Sequence, residues 1–481
     1  MSAIEVNIHI LLVTFPAQGH VKPAIRFARR LTASNASLLV SLATNEAIGQ
    51  QMRDSGAAGS DEHISFETFS DGLSVVGNQL DADKFMAQLN RAGPEGLATL
   101  INDLQVRGRP VHCIVSNPFV PWVVDVAEGF GIPCAMLWVQ SCAVYAVCYQ
   151  SLYRLDEFPT PERLNIDVSL RGLPVLKTNE LPSFLVPFGP YQCLADAILG
   201  HIKKIKKVKW VLANSFHALE TEAIQSVSEL TPIMTIGPLV PLGLLGRSTA
   251  SEVRGDLWKS EDDCLDWLNT QPKESVIYVS FGSIVSLSPK QIEELAWGLA
   301  SSGRPFLWVA KPVDSTSEFL LPTGFLDATA GRGKIVKWCP QVEVLTHPSV
   351  SCFVTHCGWN STLETIAAGT PILAFAHWGD QVTNAKFLVD VYSVGVRLER
   401  DAEGVVRREE VCRCIEEIRE GPRAAKIREN AMKLKEAARE ALEEGGSSDK
   451  NLMVFVEDLI SLASEEEAIR LRLPKDQSPD D

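Results

Sequence analysis

The chain has 481 residues, 46% of them hydrophobic and 22% charged, which is typical of a globular protein with about two to four domains. Its formal net charge of −15 at pH 7 argues against nucleic acid or an anionic membrane surface as a partner, because both require clustered positive charge. The 11 cysteines are an odd number, several stand in apolar runs, and no Cys-x-x-Cys pair with zinc spacing occurs. This pattern favours buried thiols in a reducing, cytoplasmic setting over a disulfide framework.

An apolar run near the start, residues 8–15, has the size of one β-strand. It is too short to cross a membrane, and Glu5 stands before it where a signal peptide carries basic residues. We therefore predict a soluble cytoplasmic protein without membrane insertion. The turn "PAQGH" and the amphipathic stretch "KPAIRFARRL" follow, which indicates a strand, a turn and then a helix. Further strands are predicted at residues 113–116, 134–138 and 210–214.

The same order of elements returns in the second half of the chain. "SVIYVSFGSIVSLSPKQIEELAWGLASSG" is again a strand, a glycine turn and a helix. Further strands are predicted at residues 306–309, 352–354 and 371–375. Short apolar runs that alternate with amphipathic segments are typical of an α/β fold with buried parallel strands. We therefore predict two doubly wound, Rossmann-like α/β domains in series.

Changes in composition give the predicted domain limits. A stretch rich in Pro, Gly and Ser predicts an interdomain linker at residues 241–263, between an N-terminal domain at 1–240 and a C-terminal domain at 264–464. Residues 409–444 are charged and predicted to be helical. The last residues, 465–481, are predicted to form a disordered tail.

The segment "HCGWNST" joins a predicted strand, residues 352–354, to a predicted helix, residues 363–368. Ligands of open α/β sheets bind at the carboxyl ends of the strands, where the free N–H groups and the dipole of a helix N-terminus suit phosphate. Gly358 allows the backbone to approach such a ligand, and Asn360 and Ser361 stand where a helix cap would. The segment therefore predicts a phosphate site.

Residues on either side of this segment add the other parts of a nucleotide-sugar site. Glu364 follows Ser361 by three residues, so it is placed to accept two ribose hydroxyls. Trp338 offers an indole face to a base and Gln341 can bond the edge of that base, with Cys339 between them. The remaining candidates are His356 for the phosphates and Asp380 and Gln381 for sugar hydroxyls. No partner ligands follow the His-Cys pair at zinc spacing, so we predict no metal site.

Taken in order, "W-x-P-Q", "H-C-G-W-N-S", a Glu and a closing "D-Q" within residues 338–381 closely resemble the signature segment of plant family-1 UDP-sugar glycosyltransferases. The resemblance covers essentially the whole chain, including "TFPAQGH" near the start and "SFGS" at residues 280–283. It implies a GT-B fold, in which two Rossmann-like domains face each other across a cleft. The implied activity is inverting glucosyl transfer from UDP-glucose, bound by the C-terminal domain, to a small phenolic, carboxylic acid or flavonoid acceptor, bound by the N-terminal domain.

The same resemblance implies a role for each donor-site residue. Trp338 and Gln341 would contact uracil, and Glu364 the ribose. The implied diphosphate contacts are Ser283, His356, Asn360 and Ser361, and the implied sugar contacts are Trp359, Asp380 and Gln381. In the family, a Gln at the last of these positions usually accompanies glucose.

His20 corresponds to the general base of the family, which takes a proton from the acceptor, and imidazole suits this task because its pKa lies near neutrality. Many relatives place an Asp where this chain has Asn117. The equivalent exchange in a serine protease lowers turnover by about 10⁴. A similar loss would impair the deprotonation of a phenol with a pKa of about 10 far more than attack by a carboxylic acid with a pKa of about 4. We therefore predict His20 and Asn117 as the catalytic pair, with Asp125 as the alternative support for His20; Lys22 replaces the Asn usual in relatives.

Resemblance to individual branches of the family leaves the acceptor open. Residues 116–143 resemble the ester-forming branch that acts on hydroxycinnamic and related acids, whereas residues 11–31 also resemble branches that act on flavonoids and hormones. The alternatives to glucosyl ester formation are therefore O- or C-glucosylation of flavonoids and, outside enzymes, a non-catalytic nucleotide-sugar sensor. No Gly-x-Gly-x-x-Gly follows the first strand, which argues against NAD. We expect no cofactor beyond the donor substrate UDP-glucose, and a monomer.

Overall fold

Two parallel β-sheets organise the chain. The computed structural model describes residues 8–55, 63–73, 81–189, 191–229, 232–245, 263–282, 285–310 and 320–472. The strands are β1 (Ile8–Val13), β2 (Leu38–Asn45), β3 (Ile64–Phe69), β4 (Cys113–Ser116), β5 (Cys134–Trp138), β6 (Asp167–Val168), β7 (Leu176–Lys177), β8 (Trp210–Ala213), β9 (Ile233–Thr235), β10 (Val276–Ser280), β11 (Phe306–Val309), β12 (Gly333–Val336), β13 (Val350–Thr355), β14 (Ile372–Ala374) and β15 (Gly395–Arg397). The α-helices are α1 (Gln18–Ser34), α2 (Glu46–Ser55), α3 (Ala82–Val106), α4 (Trp122–Gly129), α5 (Cys142–Ser151), α6 (Gln192–Lys203), α7 (His217–Val227), α8 (Asp263–Asn269), α9 (Pro289–Ser301), α10 (Phe325–Ala328), α11 (Gln341–Leu345), α12 (Trp359–Ala368), α13 (Gln381–Lys386), α14 (Arg408–Glu420), α15 (Ala424–Leu442) and α16 (Ser447–Arg472).

Each large sheet has one point at which its strand order reverses. The N-terminal sheet runs β3-β2-β1-β4-β5-β8-β9, and the C-terminal sheet runs β12-β11-β10-β13-β14-β15. All pairings within these two sheets are parallel. The reversal lies between β1 and β4 in one sheet and between β10 and β13 in the other. A crevice opens at such a point beyond the carboxyl ends of the strands, so each domain offers one ligand-binding edge.

The strands at the centre of each sheet are mainly apolar because both faces of the sheet are covered. In β1, Leu11 belongs to a core on one face, whereas Leu12 belongs to a core on the other. In β10, Tyr278 and Val279 divide in the same way between two cores. Successive side chains of a strand point to opposite faces, so a strand buried on both sides has no polar alternation. The predicted pair of doubly wound α/β domains is confirmed.

Most predicted strands are present with small changes at their ends. Those predicted at 113–116, 134–138 and 306–309 coincide with β4, β5 and β11. The first strand ends at Val13 rather than at residue 15, and the strand predicted at 352–354 is longer, as β13. The predicted charged helical region contains α14 and α15.

Two helices begin earlier than the sequence predicts. Helix α1 starts at Gln18, so His20 lies in its first turn and not in the preceding loop. Helix α12 starts at Trp359 with Gly358 as its N-cap, whereas the prediction began at residue 363. Asn360 therefore lies within the first helical turn and not at the cap, and the prediction of a cap role is wrong. A helix start is difficult to find in "CGWN" because Gly caps it without a side-chain oxygen.

The C-terminal helix returns to the N-terminal domain. Helix α16 buries Leu452, Phe455 and Leu459 against α1 and the N-terminal sheet, although these residues fall within the predicted C-terminal domain. Its backbone is helical as far as Arg472, so the predicted disorder is wrong for residues 465–472. Residues 473–481, and residues 246–262 of the predicted linker, lie outside the described residues. Within the described part of the chain, no helix is both long and apolar enough to cross a membrane.

Candidate active site

A cavity of about 890 Å³ lies between the two domains, at the reversal points of both sheets. This volume is in the range of small-ligand pockets. The predicted site residues that line it are His20, Trp338, Cys339, Gln341, His356, Gly358, Trp359, Asn360, Ser361, Glu364, Asp380 and Gln381. Ser283 lies outside the described residues, and Asn117 stands behind His20. The fold therefore brings together predicted site residues from both halves of the chain.

The turn before α12 is built around the ring of His356. Cys357 has a φ of 63°, which places this residue in the left-handed region and turns the chain into the helix. A Cβ at Gly358 would lie 2.4 Å from Nε2 of His356, and a Cβ at Gly282 would lie 2.9 Å from Cε1 of the same ring. Both positions must therefore lack a side chain. The sequence predicts that the missing side chain of Gly358 allows the close approach of a ligand. In the structure, the imidazole of His356 occupies that space.

The N-terminus of α12 faces the cleft without a capping side chain. Asn360 donates from Nδ2 to the Gly19 carbonyl at 2.6 Å, which ties this turn to the start of α1 in the other domain. Its Oδ1 is buried and has no hydrogen-bond partner among the described residues. Open N–H groups and the helix dipole make such a terminus electropositive. The arrangement is suited to an anion.

Glu364 is the buried acid of the cleft. One carboxylate oxygen accepts from Arg26 at 2.8 Å and the other from Nε2 of Gln341 at 2.7 Å. Burial alone would raise the pKa of Glu364, but the charges of Arg26 and Lys22 hold it below its ordinary value. The carboxylate is therefore ionised at neutral pH. Arg26 comes from α1, so this ion pair also joins the two domains.

The predicted base-binding residues are held by several contacts. Gln341 accepts from the Tyr278 hydroxyl at 3.1 Å and donates to Ser361 at 3.0 Å, in addition to its bond with the buried acid. The Tyr278 hydroxyl also lies 3.3 Å from Sγ of Cys339. The side-chain amide of Gln341 is thus engaged within the protein. The ammonium of Lys22 lies 5.6 Å from the ring centroid of Trp338, within the range of a cation–π contact.

The predicted sugar-contacting residues lie on the next loop and on α12. Trp359 is buried and donates from its indole nitrogen to the Asn214 carbonyl at 2.7 Å, across the domain interface. Asp380 accepts from Asn384 at 2.8 Å, and burial raises the pKa of Asp380 to about 6. The side-chain oxygen of Gln381 accepts the N–H groups of residues 377 and 378 at 3.0 and 3.3 Å. These bonds fix the side-chain oxygen of Gln381 in the loop. The side-chain nitrogen of Gln381 is then the amide atom that can contact a ligand.

His20 and Asn117 meet at the reversal point of the N-terminal sheet. Asn117 follows β4 directly, and its Nδ2 lies 3.0 Å from Nδ1 of His20. Phe15 and Phe119 hold the imidazole by edge contacts, with centroids 5.2 and 4.7 Å away. Burial lowers the pKa of His20 to about 4, so the ring is neutral at physiological pH.

The alternative support for His20 is excluded by geometry. Asp125 lies on α4 and pairs with Lys204 and Lys207, and about half of its side chain is exposed. Asn117, not Asp125, contacts the imidazole. The prediction that Asp125 could orient His20 is wrong, because this carboxylate lies on the surface of the domain.

Three contacts of the site have no signal in the sequence. Arg26 and Tyr278 contact predicted donor-site residues, and Asn214 supplies only a backbone carbonyl. Arg26 lies 338 residues from its carboxylate partner. Such contacts depend on how the two domains meet, which local sequence patterns do not encode.

Comparison with known proteins identifies the family of this site. The family model described as "UDP-glucoronosyl and UDP-glucosyl transferase" matches residues 259–440. The chain is 46% identical to "Gallate 1-beta-glucosyltransferase 84A24" of Punica granatum, covering 95% of this chain and 89% of that one. It is 44% identical to "Cinnamate beta-D-glucosyltransferase" of Fragaria ananassa, covering 95% and 83%.

Solved structures agree with this assignment. Os79 of Oryza sativa in complex with UDP superposes with a TM-score of 0.83 at 32% identity, over 94% of this chain and 100% of that one. UGT2 of Phytolacca americana, complexed with UDP-2-fluoro-glucose and pterostilbene, gives a TM-score of 0.80 at 27% identity, over 94% and 99%. The predicted GT-B fold is confirmed. The chain belongs to the family of UDP-sugar glycosyltransferases and is an enzyme of that family.

Proposed function

We propose that this enzyme is an inverting, UDP-glucose-dependent glucosyltransferase that forms glucosyl esters on the carboxylates of small aromatic acids. The observation that carries this proposal is the uncharged side chain of Asn117 behind His20. A carboxylic acid with a pKa of about 4 reaches the cleft already ionised. It therefore needs no carboxylate-assisted base, whereas a phenol does.

The donor is proposed to lie along α12. The open N-terminus of this helix and the ring of His356 receive the diphosphate, since both can donate hydrogen bonds to anionic oxygens. Glu364 accepts the ribose hydroxyls, in exchange for part of its contact with Arg26 and Gln341. Trp338 and the backbone of Cys339 border the position proposed for uracil.

The sugar is proposed to be glucose, held by the loop after β14. The Asp380 carboxylate can accept two hydroxyl groups when ionised, and the side-chain nitrogen of Gln381 can donate to a third. The rigid position of Gln381 favours one arrangement of hydroxyls over its epimers, because a buried polar group left unpaired costs affinity. Trp359 also lines the cavity, and its indole is fixed there by the hydrogen bond that it donates to the Asn214 carbonyl.

The proposed reaction is a single displacement. A carboxylate oxygen of the acceptor attacks C1 of glucose from the N-terminal side of the cleft, opposite to the diphosphate. The bond from C1 to the acyl oxygen forms as the bond from C1 to the phosphate oxygen breaks, and its electron pair leaves with UDP. The configuration at C1 is therefore inverted. Phe15 and Phe119 beside His20 offer apolar contacts to an aromatic acceptor.

The relatives support an aromatic acid as the acceptor class. The two described above are named for gallate and cinnamate, and another, from Quercus robur, is also a "Gallate 1-beta-glucosyltransferase", 46% identical over 95% of this chain and 90% of that one. Gallate and cinnamate are both small aromatic carboxylates. We extend this shared acceptor chemistry, and not either individual substrate, to the present chain.

The enzyme is further proposed to act as a monomer in a reducing compartment such as the cytoplasm, without a metal. One chain supplies both walls of the cleft, and all 11 cysteines are thiols, most of them buried. A helix N-terminus can neutralise a leaving diphosphate. Full activity after dialysis against EDTA, and a mass close to 52.7 kDa by light scattering, are the expected results.

A screen of matched acceptors tests the proposal. Purified enzyme and UDP-glucose are incubated with benzoic acid and phenol, which share a ring but differ in nucleophile, and separately with cinnamic acid and with a flavonoid. The products are identified by mass spectrometry before and after treatment with mild alkali. This treatment hydrolyses esters and leaves most phenolic glucosides intact. We expect alkali-labile products from the acids. Mainly alkali-stable products would favour the flavonoid O- or C-glucosyltransferase alternative, and no UDP release with any acceptor would favour the sensor.

A further inference from the structure

We propose that His20 meets the acceptor as a hydrogen-bond donor through Nε2–H, not as a base, and that Asn117 enforces this role by fixing the tautomer of the imidazole. The inference rests on the proposed function and deepens it, because it gives the site a physical means of selecting ionised acceptors. His20 is then a catalytic residue that positions the nucleophile, and Asn117 is a positioning residue that acts through it.

The first step is the orientation of the Asn117 side chain. Its Oδ1 lies 3.1 Å from the backbone nitrogen of Phe119. A backbone N–H can only donate a hydrogen bond, so the atom facing it must be the amide oxygen. The other end of the amide, Nδ2, then faces Nδ1 of His20 at 3.0 Å. The backbone of the following turn therefore determines which end of the amide meets the imidazole.

The second step is the position of the proton on His20. An amide NH2 only donates, so Nδ1 of His20 must accept with its lone pair. A neutral imidazole has one N–H, which is then at Nε2. An imidazolium would direct a second N–H at the NH2 of Asn117, and burial also disfavours the charged ring. An Asp at position 117 would give the opposite result, because its carboxylate would accept a hydrogen bond from Nδ1–H and leave Nε2 with a lone pair.

The third step is the direction of Nε2. Nδ1 is bound to Asn117 on the sheet side, and the ring itself lines the cleft between the domains. Phe15 and Phe119 contact the ring edge-on from two directions, with interplanar angles of 72° and 81°. These contacts oppose a ring flip that would exchange the two nitrogens. The N–H at Nε2 is therefore the group that the acceptor meets.

This arrangement discriminates between acceptors. A carboxylate accepts the Nε2–H bond with one oxygen and attacks C1 with the other, and no proton is transferred. A phenol or alcohol must lose a proton as it attacks, but Nε2 already carries one. General base assistance contributes about 10² to 10⁴ in rate. Neutral hydroxyl acceptors lack this assistance here, whereas carboxylates do not require it.

The test is the variant Asn117→Asp with 4-hydroxybenzoic acid, which carries both nucleophiles on one ring. The substitution keeps the size of the side chain, and one carboxylate oxygen can still accept from Phe119. We expect the ratio of phenolic glucoside to ester to rise about 10²-fold, because Nε2 regains a lone pair. A ratio within twofold of that of the unmodified enzyme would overturn the proposal. A product ratio is independent of how much active enzyme is present.

Two further measurements keep the proposal testable if Asn117→Asp does not fold. His20→Gln retains a hydrogen-bond donor but no base, so its rate of ester formation should stay within about tenfold of that of the unmodified enzyme. His20→Ala has neither group, and its rate of ester formation should fall about 10²-fold. An equal loss of rate in the two variants would contradict a donor role. In ¹⁵N spectra of histidine-labelled enzyme, assigned by the signal missing in His20→Ala, Nε2 should be protonated and Nδ1 should not. The reverse tautomer would overturn the inference even if wild-type enzyme forms esters. Conversely, predominant phenolic glucosides from wild-type enzyme would refute the proposed function while the spectra still report the tautomer.

Discussion

Glu364→Gln removes the carboxylate that joins the two domains through Arg26 and is also proposed to bind the ribose. The side chain of Glu364 is 5% exposed and that of Arg26 is 12% exposed, so the variant leaves an almost buried guanidinium without its counter-charge. Breaking a fully buried ion pair costs about 3–5 kcal/mol. Arg26 keeps the Leu239 carbonyl at 3.0 Å, so we expect a loss of about 2–3 kcal/mol in the free energy of unfolding, below the range for a fully buried pair.

A double-mutant cycle separates this coupling from other effects. The free energy of unfolding in urea is measured for Glu364→Gln, Arg26→Leu and the double variant, and the double variant should lose about 2 kcal/mol less than the sum of the single variants. Calorimetric titration should also show UDP binding weakened about ten- to a hundredfold by Glu364→Gln, as expected for a lost charge-assisted hydrogen bond. The matched control is Glu294→Gln, which breaks a pair with Arg408 outside the cleft and should leave UDP affinity unchanged.

Additive stability losses would show that Arg26 and Glu364 do not stabilise each other. An unchanged dissociation constant for UDP would refute the assignment of Glu364 to the donor. The two readouts are independent, because the ion pair exists without ligand whereas the ribose contact requires it.

Three further predictions concern the acceptor-facing histidine, the sugar and the phosphate turn. His20→Ala should lower kcat/KM for ester formation about 10²-fold and change the already slow transfer to phenols much less, because phenols receive no base assistance from this ring. Asp125→Asn is the unaffected control, and equal losses on both acceptor classes would refute our account of this histidine. Because burial raises the pKa of Asp380 to about 6, its carboxylate becomes protonated as pH falls through 6 and stops accepting sugar hydroxyls. The kcat/KM for UDP-glucose should therefore fall below pH 6, and Asp380→Asn should be slower but lack this acid limb; an identical limb in the variant would assign it to another group. Gly358→Ala would place a Cβ 2.4 Å from the neighbouring imidazole, so it should raise KM for UDP-glucose at least about tenfold, a loss of about 1.4 kcal/mol. Gly129→Ala, where a Cβ meets open space, is the matched control, and equal KM values in the two variants would contradict the packing argument.

The sequence predicts the sheets well where a strand is almost wholly apolar and less well elsewhere. Strands β4, β5 and β11 are short runs with at most one polar residue between clear breaks, and their bounds agree with the prediction. Strand β2, "LLVSLATN", mixes buried hydroxyl and amide side chains with apolar ones, and it was not predicted. Its Ser41 lies within hydrogen-bond distance of His9 at 2.7 Å, so a tertiary contact satisfies a polar group that the local pattern presents as exposed.

The donor side of the site is predictable because its residues stand in one ordered segment, residues 338–381, after the consecutive strands β12, β13 and β14. Their partners are not predictable, because Gly19 and Asn214 reach Asn360 and Trp359 from the other domain, 341 and 145 residues away in the chain. Nor could the sequence show which end of the Asn117 amide faces its histidine, since a backbone N–H two residues later decides it.

The sequence of the C-terminal helix α16 predicts which of its side chains are buried but not which part of the protein they contact. Leu452, Phe455, Val456 and Leu459 are spaced as one apolar helical face. The pattern predicts that this face is buried, but not that it packs on the first domain. Its polar continuation from residue 465 has the composition of a disordered tail, so the sequence does not indicate that the helix extends there.

The configuration and linkage of the product formed from cinnamic acid and UDP-glucose test the central claim most directly. Cinnamic acid offers one nucleophile, its carboxylate, and proton NMR of the isolated product reports both the anomer and the atom joined to C1. The account predicts 1-O-cinnamoyl-β-glucose, formed by attack of an ionised carboxylate with inversion. An α-linked ester, or the absence of any ester from an enzyme that glucosylates phenols, would contradict it.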